Sequence, residues 1–218
     1  EKNIAEHAYN NGLVKPRTNI DRTGKKVAVI GAGPAGLATA DQLNKAGHTV
    51  TLFERADALG GLLRYGIPDF KMEKWVIDRR TQIMPEEGIV FKTNAHIGVN
   101  VNVSDLQRDF DAIVMTGGST VPRDLNIPGR DLKGVHFAME FLAQQNQVIG
   151  GELKKNQLSA TDKNVLVIGG GDTGSDCVGT SIRHKANSVT QIEIMPKPPK
   201  ERLDNNPWPY WPNTLRTS

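Results

Sequence analysis

The sequence predicts an α/β fold with parallel sheets, and two observations carry that prediction. The first is an apolar run from Val27 to Ile30 that ends in a glycine turn and continues into a helical pattern. The second is that the same order returns where Asn164 to Ile168 runs into another glycine turn and another helical pattern. Both turns match the G-x-G-x-x-G spacing that joins a strand to a helix in dinucleotide-binding folds. The repetition therefore favours two Rossmann-like units in one chain.

The composition is that of an ordinary globular protein. The 218 residues include 27 Lys and Arg against 24 Asp and Glu, and the net charge of +3 is too small to indicate nucleic-acid binding. No stretch approaches the roughly 20 apolar residues of a membrane span, so we expect no membrane partner. One cysteine, Cys177, is too few for a disulfide framework or for an iron–sulfur cluster held by this chain alone. A reducing, cytoplasmic setting and no metal site are the expectations.

The residues before the first glycine turn indicate a short lead-in. Asn3 to Asn11 alternates polar and apolar residues at near-helical spacing and stops at Gly12, which predicts a helix. Lys15 to Gly24 is polar, contains a proline and has no periodicity. We expect a connector there, with its basic side chains facing solvent.

The first glycine turn is a candidate pyrophosphate site. Gly31 permits the sharp turn, Gly33 lets backbone N–H groups approach a phosphate, and Gly36 lets the helix lie close to the strand. A second strand, His48 to Phe53, closes on Glu54, about 20 residues past the glycines, where a ribose-binding carboxylate belongs. The alternative is an ordinary glycine turn followed by a solvated acid.

The elements between the two turns follow from local signals. A glycine-rich loop after Glu54 leads into an amphipathic helix over Lys74 to Glu87, which Pro85 should end or kink. A strand is expected at Ile89 to Asn94, followed by a short helix with Ser104 and Gln107 at capping-box spacing. A buried strand is then expected within Phe110 to Ser119. The glycines at its carboxyl end, Gly117 and Gly118, are expected near a ligand because open α/β sheets bind ligands at that edge.

Taken together, these motifs resemble the flavin-binding half of flavoprotein reductases that have two dinucleotide-binding domains. The resemblance is strongest to the small (beta) subunit of NADPH-dependent glutamate synthase, whose relatives include the N-terminal reductase portion of dihydropyrimidine dehydrogenase. It covers essentially the whole chain and rests on the stretches Gly31–Gly36, Glu54–Arg55, Gly60–Pro68, Met115–Gly118, Arg123–Arg130 and His136–Leu142.

The second glycine turn extends that resemblance to a second dinucleotide. Its glycines lie at Gly169, Gly171 and Gly174, and a strand is expected over Ser188 to Ile194, with Glu193 inside it. The basic residues that follow favour a 2′-phosphate, although each could equally be a solvated loop charge. They are Lys197, Lys200 and Arg202.

The resemblance implies FAD and NADPH as cofactors and assigns residues to each. For FAD the candidates are Gly31, Gly33, Pro34, Ala35, Gly36, Glu54, Arg55, Gly61, Leu62, Lys71, Ile97 and Gly117. For NADPH they are Gly169, Gly170, Gly171, Asp172 and Thr173 with Lys197, Lys200 and Arg202, and Asp172 could instead cap its helix. The implied domains are residues 1–24 as lead-in helix and linker, 25–130 as FAD-binding domain and 131–218 as NADPH-binding domain.

The implied function is electron entry. NADPH would deliver a hydride to FAD, and electrons would leave through iron–sulfur clusters outside this chain toward the large (alpha) subunit of glutamate synthase. No catalytic side chain is expected, since the flavin itself carries the redox chemistry. The family's cysteine-rich start and its later segments are missing here, so we expect a truncated, inactive fragment. Two alternatives stay open, namely a nucleotide-binding module without chemistry and a related reductase subunit that serves another acceptor.

Overall fold

The computed structural model describes residues 2–153 and 158–215 and divides the chain into two compact units, Glu1–Pro128 and Gly129–Ser218. The first unit contains helices α1 Lys2–Asn10, α2 Pro34–Lys45, α3 Leu62–Tyr65, α4 Trp75–Glu86 and α5 Val103–Asp109, and strands β1 Lys26–Ile30, β2 Thr49–Phe53, β3 Val90–Lys92 and β4 Ala112–Met115. The second contains helices α6 Ala138–Ile149 and α7 Gly171–Arg183 and strands β5 Asn164–Ile168 and β6 Ser188–Ile192. No helix in these described residues is both long enough and apolar enough to cross a membrane.

The first unit has a parallel four-stranded sheet in the order β3-β2-β1-β4. Alternate residues of the strands enter two apolar clusters on opposite faces. Val29 and Leu52 pack on one face with Ala40 of α2 and Met84 of α4. On the other face Ala28 and Phe53 pack with side chains that include Leu106 of α5. The sheet is therefore covered by helices on both faces, as parallel sheets require, and the predicted α/β class is confirmed.

The strand order places a ligand edge at one point of this sheet. From β1 the chain moves outward through β2 and β3 and then returns to β4 on the other side of β1. The order of the strands thus reverses between β1 and β4, and open α/β sheets bind ligands in the crevice at the carboxyl ends of such strands. The glycine turn after β1 lies at that crevice.

Helix α4 ends at Glu86, one residue after Pro85, which agrees with the prediction that the proline ends the helix. Two other local predictions need correction. The helix α5 begins at Val103 with Asn102 as its N-cap, so Ser104 is a helical residue and not the cap. The strand expected within residues 110–119 is only β4, at the sheet edge, where Met115 is 82% exposed because no further strand covers it in the described residues.

The connector before β1 is also different from the expectation, because Arg22 does not simply face solvent. Its guanidinium donates hydrogen bonds to Asn44 Oδ1 at 2.7 Å, to the His48 carbonyl at 2.9 Å and to the Glu87 carbonyl at 3.0 Å. The Arg22 side chain therefore joins the ends of α2 and α4 to the connector.

Replacing Arg22 by methionine should lower the free energy of unfolding by about 2 kcal/mol, because the buried Asn44 side chain and two carbonyls lose charge-assisted partners. Urea denaturation followed by circular dichroism measures the effect. Arg17→Met, which removes a cation from the same connector at an exposed side chain, is the control and should change little. Equal effects of the two variants would contradict a specific role for Arg22.

The second unit contains a parallel pair, β5 and β6, with α7 packed against both strands and α6 packed against α7. His184, which follows α7, joins these elements. The Ala160 N–H donates to His184 Nδ1 at 3.3 Å, and His184 Nε2 lies 2.7 Å from Gln145 Oε1. Both contacts suit a neutral ring protonated on Nε2, and burial lowers the pKa of His184 below its usual value of 6.5.

Protons bind His184 more readily in the unfolded chain than in the folded one. The contribution of His184 to the free energy of unfolding should therefore be fully present above about pH 6.5 and should fall as the pH drops below that value. The slope cannot exceed about 1.4 kcal/mol per pH unit, the value for one proton. Denaturation midpoints at about pH 7.5 and pH 5.5 measure this pH dependence of stability. His184→Gln should reduce the pH dependence and the exposed His136→Gln should not; a pH dependence retained in full by His184→Gln would count against this assignment.

Candidate dinucleotide sites at the two glycine turns

The first glycine turn has the tight geometry that its glycines predict. Gly31 adopts φ of +103°, and a Cβ at this position would lie 2.6 Å from the Thr116 carbonyl oxygen. A Cβ on Gly36 would lie 1.7 Å from the Gly31 carbonyl oxygen, so only glycine lets α2 come this close to the turn. Gly33, the N-cap of α2, has φ of −71° and no atom within 4 Å of its Cβ position. The turn therefore has no space for a side chain at Gly31 or Gly36, but it has space at Gly33.

Two neighbouring segments complete the wall of this opening. The Gly60 N–H donates to the Ala32 carbonyl at 2.9 Å, and a Cβ on Gly61 would lie 2.8 Å from Gly33 Cα. On the other side, Thr116 Oγ1 donates to the carbonyls of Ile30 and Gly31, at 2.9 Å each. The loop after β2 and the end of β4 are thereby fixed against the turn.

Glu54 lies directly after β2 at the same edge. It is 7% exposed, and its carboxylate accepts the Ala32 N–H at 2.7 Å and the Ala56 N–H at 2.9 Å. A carboxylate oxygen accepts more than one hydrogen bond, so both oxygens keep acceptor capacity for a hydroxyl group. The backbone thus orients the group that the sequence predicts for a ribose.

The structure places most of the predicted FAD set at this opening or next to it in the chain, and Lys71 and Ile97 in other segments. The residues at the opening are Gly31, Gly33, Gly36, Glu54, Gly61 and Gly117. Pro34 and Ala35 begin α2, Arg55 is exposed beside Glu54, and Leu62 begins α3 with its side chain exposed. Lys71 donates its backbone N–H to the Pro68 carbonyl, and Ile97 packs against the core on the α5 side of the sheet. All these binding roles stay predictions.

Thr116 is a positioning residue to which the sequence interpretation gave no role. Its hydroxyl links β4 to the turn through the two carbonyl contacts described above. The available signal was its place between a run of apolar residues and two glycines, Gly117 and Gly118.

The second turn repeats the strand, glycine turn and helix order of the first, with two differences: Gly171 has φ of +70° where Gly33 has −71°, and the Cβ position of Gly169 is open where that of Gly31 is blocked. Gly169 follows β5 with φ of +113°, and its N–H donates to the Ile192 carbonyl at 2.9 Å, as the Gly31 N–H does to the Phe53 carbonyl at 2.7 Å. A Cβ on Gly174 would lie 2.6 Å from the Gly169 carbonyl oxygen, and the Cβ position of Gly171 is open. The opening at Gly33 therefore has a counterpart at Gly171.

Two expectations for the second turn need correction. Gly170 is the N-cap of α7, so Asp172 is the second helical residue and makes no capping hydrogen bond. Strand β6 ends at Ile192, so Glu193 follows the strand and is not inside it. Thr173 lies in the first turn of α7, exposed like Asp172.

The basic residues predicted for NADPH lie in the irregular segment after β6. Lys197 and Lys200 are exposed, and Arg202 donates to the Tyr210 carbonyl at 3.3 Å. Their contribution to cofactor preference stays a prediction.

Cys177 lies in α7 and is 7% exposed, as predicted for a small buried side chain. Burial, together with the nearby Asp176 carboxylate, raises the pKa of the thiol to about 11. Cys177 is the one cysteine among these 218 residues, so they contain no cysteine pair. The described residues also contain no group of three or more His, Cys, Asp or Glu side chains placed for a metal ion.

Two strand–glycine turn–helix units, each open at an N–H-lined helix start, define an α/β fold of the dinucleotide-binding type. Residues 25–206 match the pyridine nucleotide-disulphide oxidoreductase family, and the chain belongs to that family.

Among curated proteins, this chain is similar to glutamate synthases. It is 54% identical to glutamate synthase [NADH] of Schizosaccharomyces pombe, over 99% of this chain and 10% of that protein. It is 51% identical to the glutamate synthase [NADPH] small chain of Mycobacterium tuberculosis strain CDC 1551, over 100% of this chain and 46% of that protein. The resemblance to the small chain is thereby confirmed, and the chain spans about half the length of that relative.

Among solved structures, Mycobacterium tuberculosis FprA in complex with NADPH superimposes with a TM-score of 0.63 at 21% identity, covering 77% of this chain and 43% of that one. Lactococcus lactis thioredoxin reductase gives a TM-score of 0.51 at 22% identity, covering 78% and 56%. At these identities the likeness supports the fold alone.

Proposed function

We propose that this chain carries the FAD-binding and nicotinamide-binding parts of an electron-entry flavoprotein of the glutamate synthase small-chain type. The observation that carries the proposal is the repeated turn geometry, open at Gly33 and at Gly171, in a chain 51% identical to such a small chain. In this proposal the first unit holds FAD and the second holds a nicotinamide dinucleotide as hydride donor, NADPH being the carrier named for that small chain.

The first unit suits a flavin dinucleotide by its shape and its hydrogen-bonding groups. The open position at Gly33 lets a pyrophosphate reach the start of α2, where N–H groups and the positive end of the helix dipole favour negative charge. Glu54, held by two backbone N–H groups, would accept the hydroxyls of the adenosine ribose. When bound, FAD supplies the redox chemistry of accepting a hydride and releasing electrons singly.

The second unit would hold the hydride donor in the same manner. Gly171 leaves the start of α7 open to a pyrophosphate, and Gly174 lets α7 lie close to β5. The term small chain in the names of relatives supports a large-subunit partner. We propose that electrons pass to that glutamate-forming subunit through iron–sulfur clusters held outside this chain.

The absorbance spectrum of the purified protein tests the proposal. A bound flavin absorbs in the visible range, and anaerobic addition of NADPH should bleach it if the second unit delivers hydride to the first. A yellow protein that NADPH and NADH both fail to bleach would support a binding module without chemistry. A protein that takes up no FAD on reconstitution would overturn the proposal.

A further inference from the structure

The acid that follows β6 corresponds in position to the acid that follows β2. Residue pairing aligns Ile30 with Phe53 in the first unit and Ile168 with Ile192 in the second. Glu54 and Glu193 are the next residues after the two aligned strand ends. The sequence interpretation placed Glu193 inside the strand and so overlooked this equivalence.

The contacts of the two carboxylates agree with that correspondence. Glu54 Oε1 accepts the N–H of Ala56, two residues on, and Glu193 Oε1 accepts the N–H of Met195, also two residues on, at 3.3 Å. Glu193 Oε1 also accepts the Ile194 N–H at 2.9 Å. These backbone contacts hold the Glu193 carboxylate at the end of its strand.

The second oxygen of Glu193 faces the glycine turn. A Cβ on Gly170 would lie 1.5 Å from Glu193 Oε2, so the carboxylate occupies the space that any larger residue at 170 would fill. Ala32, the counterpart of Gly170 in the first unit, donates its N–H to Glu54 Oε2. Both units therefore place a carboxylate oxygen beside the second residue of the turn.

We propose that Glu193 is the specificity-determining residue of the second unit, and that it makes this site bind a nicotinamide dinucleotide with a free 2′-hydroxyl, of the NADH type, more tightly than NADPH. A carboxylate at this strand end accepts a hydrogen bond from the 2′-hydroxyl and repels a 2′-phosphate. The inference rests on the proposed function, since it refines the donor of the same site. The proposed effect of Glu193 is opposite to the preference for a 2′-phosphate that Lys197, Lys200 and Arg202 predict.

Isothermal titration of the protein with NAD⁺ and with NADP⁺ tests the proposal without turnover. The unmodified protein should bind NAD⁺ more tightly. Glu193→Gln should tighten NADP⁺ binding about tenfold and weaken NAD⁺ binding, which inverts the preference. Glu201→Gln, which removes an exposed acid from the same segment, is the matched control and should leave the preference unchanged.

The outcomes separate this inference from the proposed function. If both dinucleotides bind and Glu193→Gln leaves the ratio of their dissociation constants unchanged, Glu193 does not determine specificity, although the nicotinamide site stands. Tighter binding of NADP⁺ by the unmodified protein, reversed by neutralising the three basic residues together, would likewise overturn the inference alone. If neither dinucleotide binds a protein that melts normally, the proposed function fails as well.

Discussion

Replacing Gly36 by alanine is expected to lower the free energy of unfolding by about 3 kcal/mol or more. The added methyl group would lie 1.7 Å from the Gly31 carbonyl oxygen and 2.9 Å from Thr116 Oγ1. The nearer atom is backbone in a turn that β4 and the Gly60 loop already hold in place, so neither side can move away cheaply. Urea denaturation followed by far-ultraviolet circular dichroism measures the loss.

Gly33→Ala supplies the matched control within the same turn. Its Cβ position is open and its φ is compatible with alanine, so the same methyl group should cost no more than about 1 kcal/mol, the usual penalty for alanine at an N-cap. A Gly36→Ala protein as stable as Gly33→Ala would show that the close approach of α2 to the turn is absent in solution.

The sequence predicts the part of the fold that depends on local geometry. A strand–turn–helix unit of this type needs an apolar strand, a glycine with positive φ and a glycine that lets the helix approach, all at fixed spacing. The two turns at Gly31 and Gly169 can therefore be located from the order of residues alone. Cys177 is similarly predictable, since a lone cysteine among helical residues is most often a small buried side chain.

What the sequence could not predict depends on contacts between distant residues. Helix α6 was missed because its N-cap is Phe137, which carries none of the usual capping side chains. The three hydrogen bonds of Arg22 reach acceptors 22 to 65 residues away, so a polar connector gave no sign of them.

The placement of Glu193 shows the same limit at the candidate site. The sequence pattern gives no strand end at Ile192, because the apolar residues Ile194 and Met195 follow, whereas the pairing of β6 with β5 stops at Ile192. One or two residues of strand length decide here whether a carboxylate lies in the strand or faces the turn. A site residue at a strand end therefore depends on a boundary that periodicity defines poorly.

The largest effect on ligand binding is expected from Gly33, which alone of the three glycines in the first turn has an open Cβ position. Gly33→Ala should weaken FAD binding about a hundredfold, because the methyl group would occupy the space through which a pyrophosphate approaches the start of α2. Titration of the apoprotein with FAD, followed by flavin fluorescence, measures the dissociation constant.

A loss of FAD at preserved stability would separate this glycine from Gly36, whose substitution should disturb the fold first. Gly12→Ala places a methyl group in equally open space at the end of α1; its φ of +64° costs some local stability, but the FAD dissociation constant should stay unchanged. Wild-type FAD affinity in Gly33→Ala would mean that the pyrophosphate does not lie at this helix start. The Cβ position of Gly33 is open, whereas those of Gly31 and Gly36 are blocked, so no packing contact within the first unit requires glycine at position 33. A ligand that contacts the Gly33 Cα explains why this residue is glycine.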